Sequence, residues 1–261
     1  MLTKRLIACF DIIGGRVTKA VQFQDNIDVA PAEELAEKVY KAGIDELIFY
    51  DVTASNEKRS IDIETVKKVA RCVFIPFTVG GGIKTLDDMY EALKAGAEKI
   101  SVDSMAVRNP NIIAQGAKAF GSQCVVLSTQ VKRVEAMPSG YEVYIDGARV
   151  ATGMDALEWI KRGQELGAGE ICLNSIDCDG TLAGYDIKLM KMAQSHLSIP
   201  LIASGGAGKP EHIETLFTQT DTGAAIISSM LYSPRMERNY SVKELKDYLI
   251  QRNINIRGNL S

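Results

Sequence analysis

Hydrophobic positions in this chain fall into two alternating kinds of stretch. Short, nearly unbroken apolar runs bounded by charged residues and glycine alternate with longer segments in which apolar residues recur every three or four positions. The first kind suits a strand buried on both faces, as in a parallel sheet covered by helices, and the second suits an amphipathic helix packed on such a sheet. The predicted strands are Arg5–Asp11, Glu46–Val52, Val73–Val79, Glu98–Val102, Gln123–Thr129, Glu170–Asn174, Ile199–Ala203 and Gly223–Ser228. The predicted helices are Ala32–Ala42, Ile61–Arg71, Thr85–Ala95, Pro110–Phe120, Asp155–Leu166, Ile187–His196, Pro210–Thr218 and Val242–Gln251. Eight β-α units in this order across 261 residues predict an α/β fold, a (βα)8 TIM barrel, with its chemistry at the C-terminal ends of the strands.

Within that pattern one stretch occurs twice. IPLIASGGAGKPEHI (Ile199–Ile213) is a near-copy of IPFTVGGGIKTLDDM (Ile75–Met89), each an apolar run followed by a glycine cluster and a helix-like segment. Glycines directly after a strand let the backbone approach a ligand, and amides at the start of a helix point toward an anion, so each copy is a candidate phosphate cradle. The alternative for either copy alone is a tight turn with no ligand. Two copies suggest two phosphates on one substrate. The repeat reaches further: AGIDEL (Ala42–Leu47) is echoed by LGAGEI (Leu166–Ile171), and Ser104-Met105 by Ser229-Met230. Two half-barrels of four units account for this, and their symmetry pairs Asp11 at the end of the first strand with Gln130 at the end of the fifth.

Two connections are long, and long connections more often carry function. Gly14 to Ala30 contains Lys19 and is polar enough for a lid. Val131 to Thr152 contains Asp146-Gly147 between alternating runs, a hairpin-turn signal. No low-complexity segment or linker breaks the chain, so one domain over residues 1–261 is expected.

Composition narrows the function classes. A hydrophobic content of 46% with 24% charged residues suits a soluble domain with a substantial core. A net charge of -3 without a basic run argues against nucleic acid as the main partner. No apolar stretch is long enough to span a membrane, and the N-terminus runs straight into a strand without a signal-peptide pattern, so a cytoplasmic site of action is expected. The five scattered cysteines lie mostly inside apolar runs, which predicts neither disulfides nor a metal site.

The motifs KRLIACFD, DELIFYDVTAS, FTVGGGIKT, KISVDS, FGSQC, ELGAGEI, SIDCDGT, GYD, IASGGAG and ELKDYL, spread over essentially the whole chain, together resemble the cyclase subunit of imidazole glycerol phosphate synthase. The resemblance implies a (βα)8 barrel, a step in histidine biosynthesis and no cofactor. It also implies a heterodimer with a glutaminase whose ammonia crosses the barrel to a bisphosphorylated aminoimidazole carboxamide. Asp11 matches the family's first catalytic carboxylate. The second maps onto Gln130, an amide, which can hold substrate but does not exchange a proton at neutral pH. Asp179, in a DGT turn, is a candidate for hydrogen bonding or for the missing proton role. Gly81, Gly82, Asp103 and Ser104 match one phosphate site, with Asp103 in place of an asparagine; Gly205, Gly206, Ser228 and Ser229 match the other. Asn174 and Gly180 are further substrate contacts, and Lys19 matches a loop lysine.

Arg5, Glu46, Lys99 and Glu170 stand near strand starts and alternate in sign. Singly each reads as a solvated charge; together they match the ring with which the family gates ammonia into the barrel. Arg5 and Asp11 share the inward parity of one strand, which puts entrance and reactive end on one axis. Glu98 matches an acidic residue facing the glutaminase. Three alternatives stay open: the sister isomerase of the same pathway, which has the half-barrel repeat but not the ring, a paralogue passing ammonia to another acceptor, and a non-catalytic scaffold that activates a glutaminase.

Overall fold

The computed structural model describes residues 3–21, 24–54 and 61–258. Parallel strands β1 (Arg5–Ile13), β4 (Glu46–Asp51), β5 (Phe77–Gly80), β6 (Lys99–Val102), β7 (Val125–Arg133), β10 (Glu170–Ser175), β11 (Leu201–Ser204) and β12 (Ala224–Ile226) pair in that order. Because β12 pairs back onto β1, the sheet closes into an eight-stranded barrel. Helices α1 (Ala32–Lys41), α2 (Ile63–Ala70), α3 (Leu86–Lys94), α5 (Asn111–Phe120), α6 (Ala156–Glu165), α7 (Ile187–Gln194), α8 (Pro210–Gln219) and α10 (Val242–Gln251) follow the strands. The predicted α/β barrel and all eight major helices are present.

Alternation along each strand decides what faces the axis. On β1, Leu6, Ala8, Phe10 and Ile12 join the core under the helices, whereas Ile7 and Cys9 belong to a separate inner cluster with Ile48, Val126, Cys172, Ile202, Ala224 and Ile226. Arg5, Ile7, Cys9 and Asp11 therefore line one lumen, as the period of two requires. Helix starts are set by local chemistry. Thr85 and Asp88 form a reciprocal capping box on α3, as Ser241 and Glu244 do on α10, and Asp62, Asp155 and Asp186 cap α2, α6 and α7. The last helix is anchored inside the protein: Lys246 Nζ lies 2.7 Å from Asp45 Oδ1, with both side chains 1% exposed. The other oxygen of Asp45 accepts from the Leu6 amide at 2.8 Å, so this buried pair also fixes the start of β1.

The structure moves several predicted boundaries. Residues 73–76 and 199–200 precede their strands rather than belonging to them, because Pro76 and Pro200 have no N–H for the ladder. Their carbonyls still accept, from Leu47 and Ile171. Ser122–Cys124 form a single 3-10 turn before β7, not strand. Short helices α4 (Ser104–Arg108) and α9 (Ser228–Tyr232), absent from the prediction, stand at the C-terminal ends of β6 and β12. The first long connection is no loose loop. β1 runs on to Ile13 and folds back as β2 (Arg16–Val21) and β3 (Gln24–Pro31), an antiparallel ribbon. Residues 22 and 23 lie outside the described residues. The Asp146-Gly147 hairpin is present as β8 (Tyr141–Ile145) and β9 (Val150–Asp155), paired onto the end of β7. Barrel strands one and five thus carry matching ribbons. No helix among the described residues is long and apolar enough to cross a membrane.

Candidate active site

The N-terminal mouth of the lumen is crossed by a closed ring of charge. Arg5 Nη1 lies 2.6 Å from Glu46 Oε1 and 2.9 Å from Glu170 Oε1, while Lys99 Nζ lies 3.0 Å from Glu170 Oε2 and 3.5 Å from Glu46 Oε2. Each carboxylate spans two cations. All four residues predicted for the gate meet, and only 7% to 21% of each side chain is exposed, so these are not the solvated pairs that single-residue reasoning allows. Burial disfavours the charge on Arg5, but Glu46 and Glu170 outweigh it and its proton is held more firmly than usual. Beyond the ring the inner apolar cluster lines the axis. There Tyr50 places its hydroxyl 3.1 Å from Ser101 Oγ and 3.2 Å from Ser128 Oγ. Gly80 makes room for this ring, since a Cβ there would come within 2.7 Å of it.

At the C-terminal mouth two groups of polar side chains gather. The first is Asp11, Lys19 and Asp179. Lys19, delivered by β2, lies 3.6 Å from Asp11 Oδ2. Burial works against the charge on Lys19, but Asp11, and behind it Tyr232 and Asp179, raise its proton affinity. Asp179 is pushed up from the usual carboxylate range by burial, more than Lys19 lowers it, and Asp11 adds to the rise. The second group is Asp103, Gln130 and Asn174. Gln130 Nε2 donates to Asp103 Oδ2 at 2.9 Å, and Asn174 is the register partner of Gln130. Asp103 Oδ1, Gln130 Oε1 and Asn174 Oδ1 are sealed from solvent without a hydrogen-bond partner, three acceptors awaiting a donor. Burial lifts the Asp103 carboxyl to about 7, against the lowering effect of the Gln130 amide. Such a mouth can hold N–H and O–H groups and exchange protons near neutral pH.

Comparison with known proteins settles the family. The histidine biosynthesis protein family matches residues 5–237. Imidazole glycerol phosphate synthase subunit HisF of Desulfosudis oleivorans is 51% identical over 260 residues, covering 98% of this chain and 99% of that protein. The subunit HisF of Desulfatibacillum aliphaticivorans is 50% identical over 263 residues, the full length of both, and that of Syntrophobacter fumaroxidans is 49% identical over 260 residues, 98% of this chain and 99% of that protein. This chain belongs to the HisF family.

The predicted phosphate residues of this HisF chain occupy the same end of the barrel, with different degrees of commitment. Gly81 and Gly206 both have positive φ, and a Cβ would come within 2.3 Å of the Asp51 carbonyl oxygen at one and 2.0 Å of the Gly184 carbonyl oxygen at the other. Close backbone packing alone therefore demands glycine at both, whatever the ligand. Gly82, Gly180 and Gly205 also adopt positive φ. Ser104 Oγ accepts from the Asp146 amide at 2.9 Å, which leaves its O–H to donate. Ser228 is different: its hydroxyl donates to the Cys9 carbonyl at 2.7 Å and accepts from the Cys9 amide at 2.8 Å. These two bonds tie it to the β1 backbone past the end of β12, so its side chain is structural. Ser229 follows on α9, where its carbonyl accepts from the Ser233 amide.

Sequence reasoning missed Tyr50 and the tie between Asp103 and Gln130. The signal for Tyr50 was its inward parity with Glu46 on β4. For Asp103 and Gln130 no sequence signal existed, because they meet across neighbouring strands at the C-terminal mouth.

Proposed function

We propose that ammonia from a separate glutaminase subunit enters this barrel through the Arg5–Glu46–Lys99–Glu170 ring. At the opposite mouth it reacts with a bisphosphorylated aminoimidazole carboxamide ribotide to give imidazole glycerol phosphate and a carboxamide ribotide. The chain is then the cyclase subunit of an imidazole glycerol phosphate synthase, acting in histidine biosynthesis. The observation that carries this reading is a closed charge ring and a carboxylate-bearing mouth on one lumen. Relatives sharing half of the residues over the full length, all named for this synthase, weigh against the isomerase, paralogue and scaffold alternatives.

Ammonia released into neutral water is mostly protonated and no longer nucleophilic, so an enclosed path has a chemical reason. Past the gate the path is lined by the inner apolar cluster and by the hydroxyls of Tyr50, Ser101, Ser128 and, by strand alternation, Thr78, which offer neutral hydrogen bonds rather than a base that would trap ammonium. At the mouth, Asp11 is the proton-exchanging group and Lys19 holds it in place. Asn174 and Gln130 accept from the substrate's N–H and O–H groups, and Asp179 borders the same space. The two glycine loops, with Ser104 and Ser229, take the terminal phosphates. The glutaminase docks on the N-terminal face, where Glu98 is exposed and Phe74, 78% exposed, stands before β5.

Purified chain supplied with ammonium salt and the ribotide substrate should form imidazole glycerol phosphate without the partner. Asp11→Asn should lower kcat by ~100- to 10,000-fold, the usual cost of one general acid–base group. Absence of turnover by the folded wild type would sink the reading.

A further inference from the structure

One carboxylate at the reactive mouth is built in a way that phosphate binding does not explain. Asp103 occupies the residue before α4, where a carboxylate ordinarily accepts from the first free amides of the helix, yet it makes no such bond. Its side chain turns instead to the end of β7. There Gln130 Nε2 donates to Oδ2 at 2.9 Å, while Oδ1 is sealed from solvent and unpartnered. A carboxylate held by one oxygen with the other directed nowhere is suited to accept a proton from a ligand. Position 130 matches Asp11 in the half-barrel repeat but carries an amide, so Asp103 is the carboxylate in contact with the end of that strand.

We propose that Asp103 is the second proton-transferring carboxylate of the mouth, working with Asp11, and that Gln130 is the residue that positions it. This rests on the cyclase reading. When the lone pair of ammonia forms the new N–C bond at the amidine carbon that carries the ribotide, the C=N π pair moves onto the ribotide nitrogen and the attacking nitrogen becomes cationic. Asp103 Oδ1 takes one N–H proton, and that bonding pair returns to nitrogen. Protonated Asp103 gives that proton to the ribotide nitrogen. The lone pair of the new amine then re-forms C=N as the C–N bond to the ribotide breaks with its pair on the ribotide nitrogen, and Asp103 carries a second proton from the iminium to that departing nitrogen. Asp103 ends as it began, and no further reactant is needed.

The surroundings match this cycle. Burial raises the carboxyl to about 7; Gln130 on β7 lowers it by donating to the charged form, Asp146 in the β8–β9 turn raises it, and Arg108 on α4 lowers it. Base and conjugate acid are then both populated near neutral pH, the condition under which one group can take and return a proton.

The test is ammonium-driven turnover of the ribotide substrate by the purified full chain, with kcat and KM determined across pH. Asp103→Asn, nearly isosteric, should lower kcat by ~100- to 10,000-fold with little change in KM. The wild-type profile should show an acid limb near 7 that this variant lacks; ammonium protonation affects both proteins alike and cancels in the comparison. Gln130→Met should move that limb to higher pH, because the charged form loses its donor. The double variant Asp103→Asn with Gln130→Asp, which exchanges carboxylate and amide across the same hydrogen bond, should recover at least ~10-fold over Asp103→Asn alone. An Asp103→Asn protein that keeps wild-type kcat, or loses only KM, overturns the assignment while leaving the cyclase reading intact. A folded wild type inert toward the substrate overturns both.

Discussion

At the scale of single residues, buried charge decides most of what matters, and its cost can be measured. Asp103 binds its proton more tightly folded than unfolded, since burial raises it from the usual carboxylate range to about 7. A group with a raised carboxyl affinity favours folding below that window and opposes it above, because the folded state must then carry a buried charge. Asp103→Asn is therefore expected to raise the melting temperature at pH 8 more than at pH 5. An equal change at both values would show that the carboxyl is ordinary. Lys246 and Asp45 are the opposite case, a buried pair with both partners satisfied. Lys246→Ala strands Asp45 in the core, and losing one partner of such a pair typically costs about 3–5 kcal/mol. Denaturant unfolding should show a loss of that order.

The element that connects surface to mouth is the β8–β9 hairpin. Its turn holds Asp146 at φ 56 and Gly147 at φ 67, and it docks on α4 through the Asp146 amide to Ser104 and an Arg108–Asp146 ion pair at 2.5 Å. A turn far along the chain from Asp103 thereby adds a negative charge to its surroundings. Asp146→Asn removes that charge and frees Arg108, and both changes favour the ionised form of Asp103. The acid limb of the pH–rate profile should shift to lower pH, opposite to the effect expected for Gln130→Met. Limbs that move together in the two variants would disconnect the hairpin from the carboxyl. On β1 the matching ribbon, β2 with β3, brings Lys19 to Asp11, so the antiparallel extension of each half-barrel sets a charged neighbour beside a carboxylate of the first half, Asp11 in one case and Asp103 in the other.

Across the whole molecule the length of the barrel strands separates the charge ring at the N-terminal mouth from the polar groups gathered at the C-terminal mouth. Lys99→Ala should leave turnover with ammonium salt close to wild type while uncoupling the glutamine-driven reaction of the complex, since the ring is far from the reacting atoms but on the path. Loss of both activities in parallel would mark the ring as structural only. Because Glu46 and Glu170 are largely buried, the same variant should also lose stability, by up to about 3 kcal/mol. At the docking face, Phe74→Asp is expected to weaken association with the glutaminase in size-exclusion chromatography while leaving ammonium-driven turnover unchanged.

Alternation of apolar runs and amphipathic segments is a local property, so the eight β-α units and the doubled glycine loops could be read from residue order alone. Period two likewise placed Arg5 and Asp11 on one axis, and Asp146-Gly147 marked its own turn. What residue order could not determine was set by closure of the barrel, which brings strand ends together irrespective of sequence separation. Four charges on four strands, β1, β4, β6 and β10, became one mostly buried ring, Ser228 spent its hydroxyl on the Cys9 backbone, and Asp103 met Gln130. Each outcome depends on which inward side chains share a level of the barrel, and that level is fixed by strand register, a relation between distant segments that no local pattern encodes.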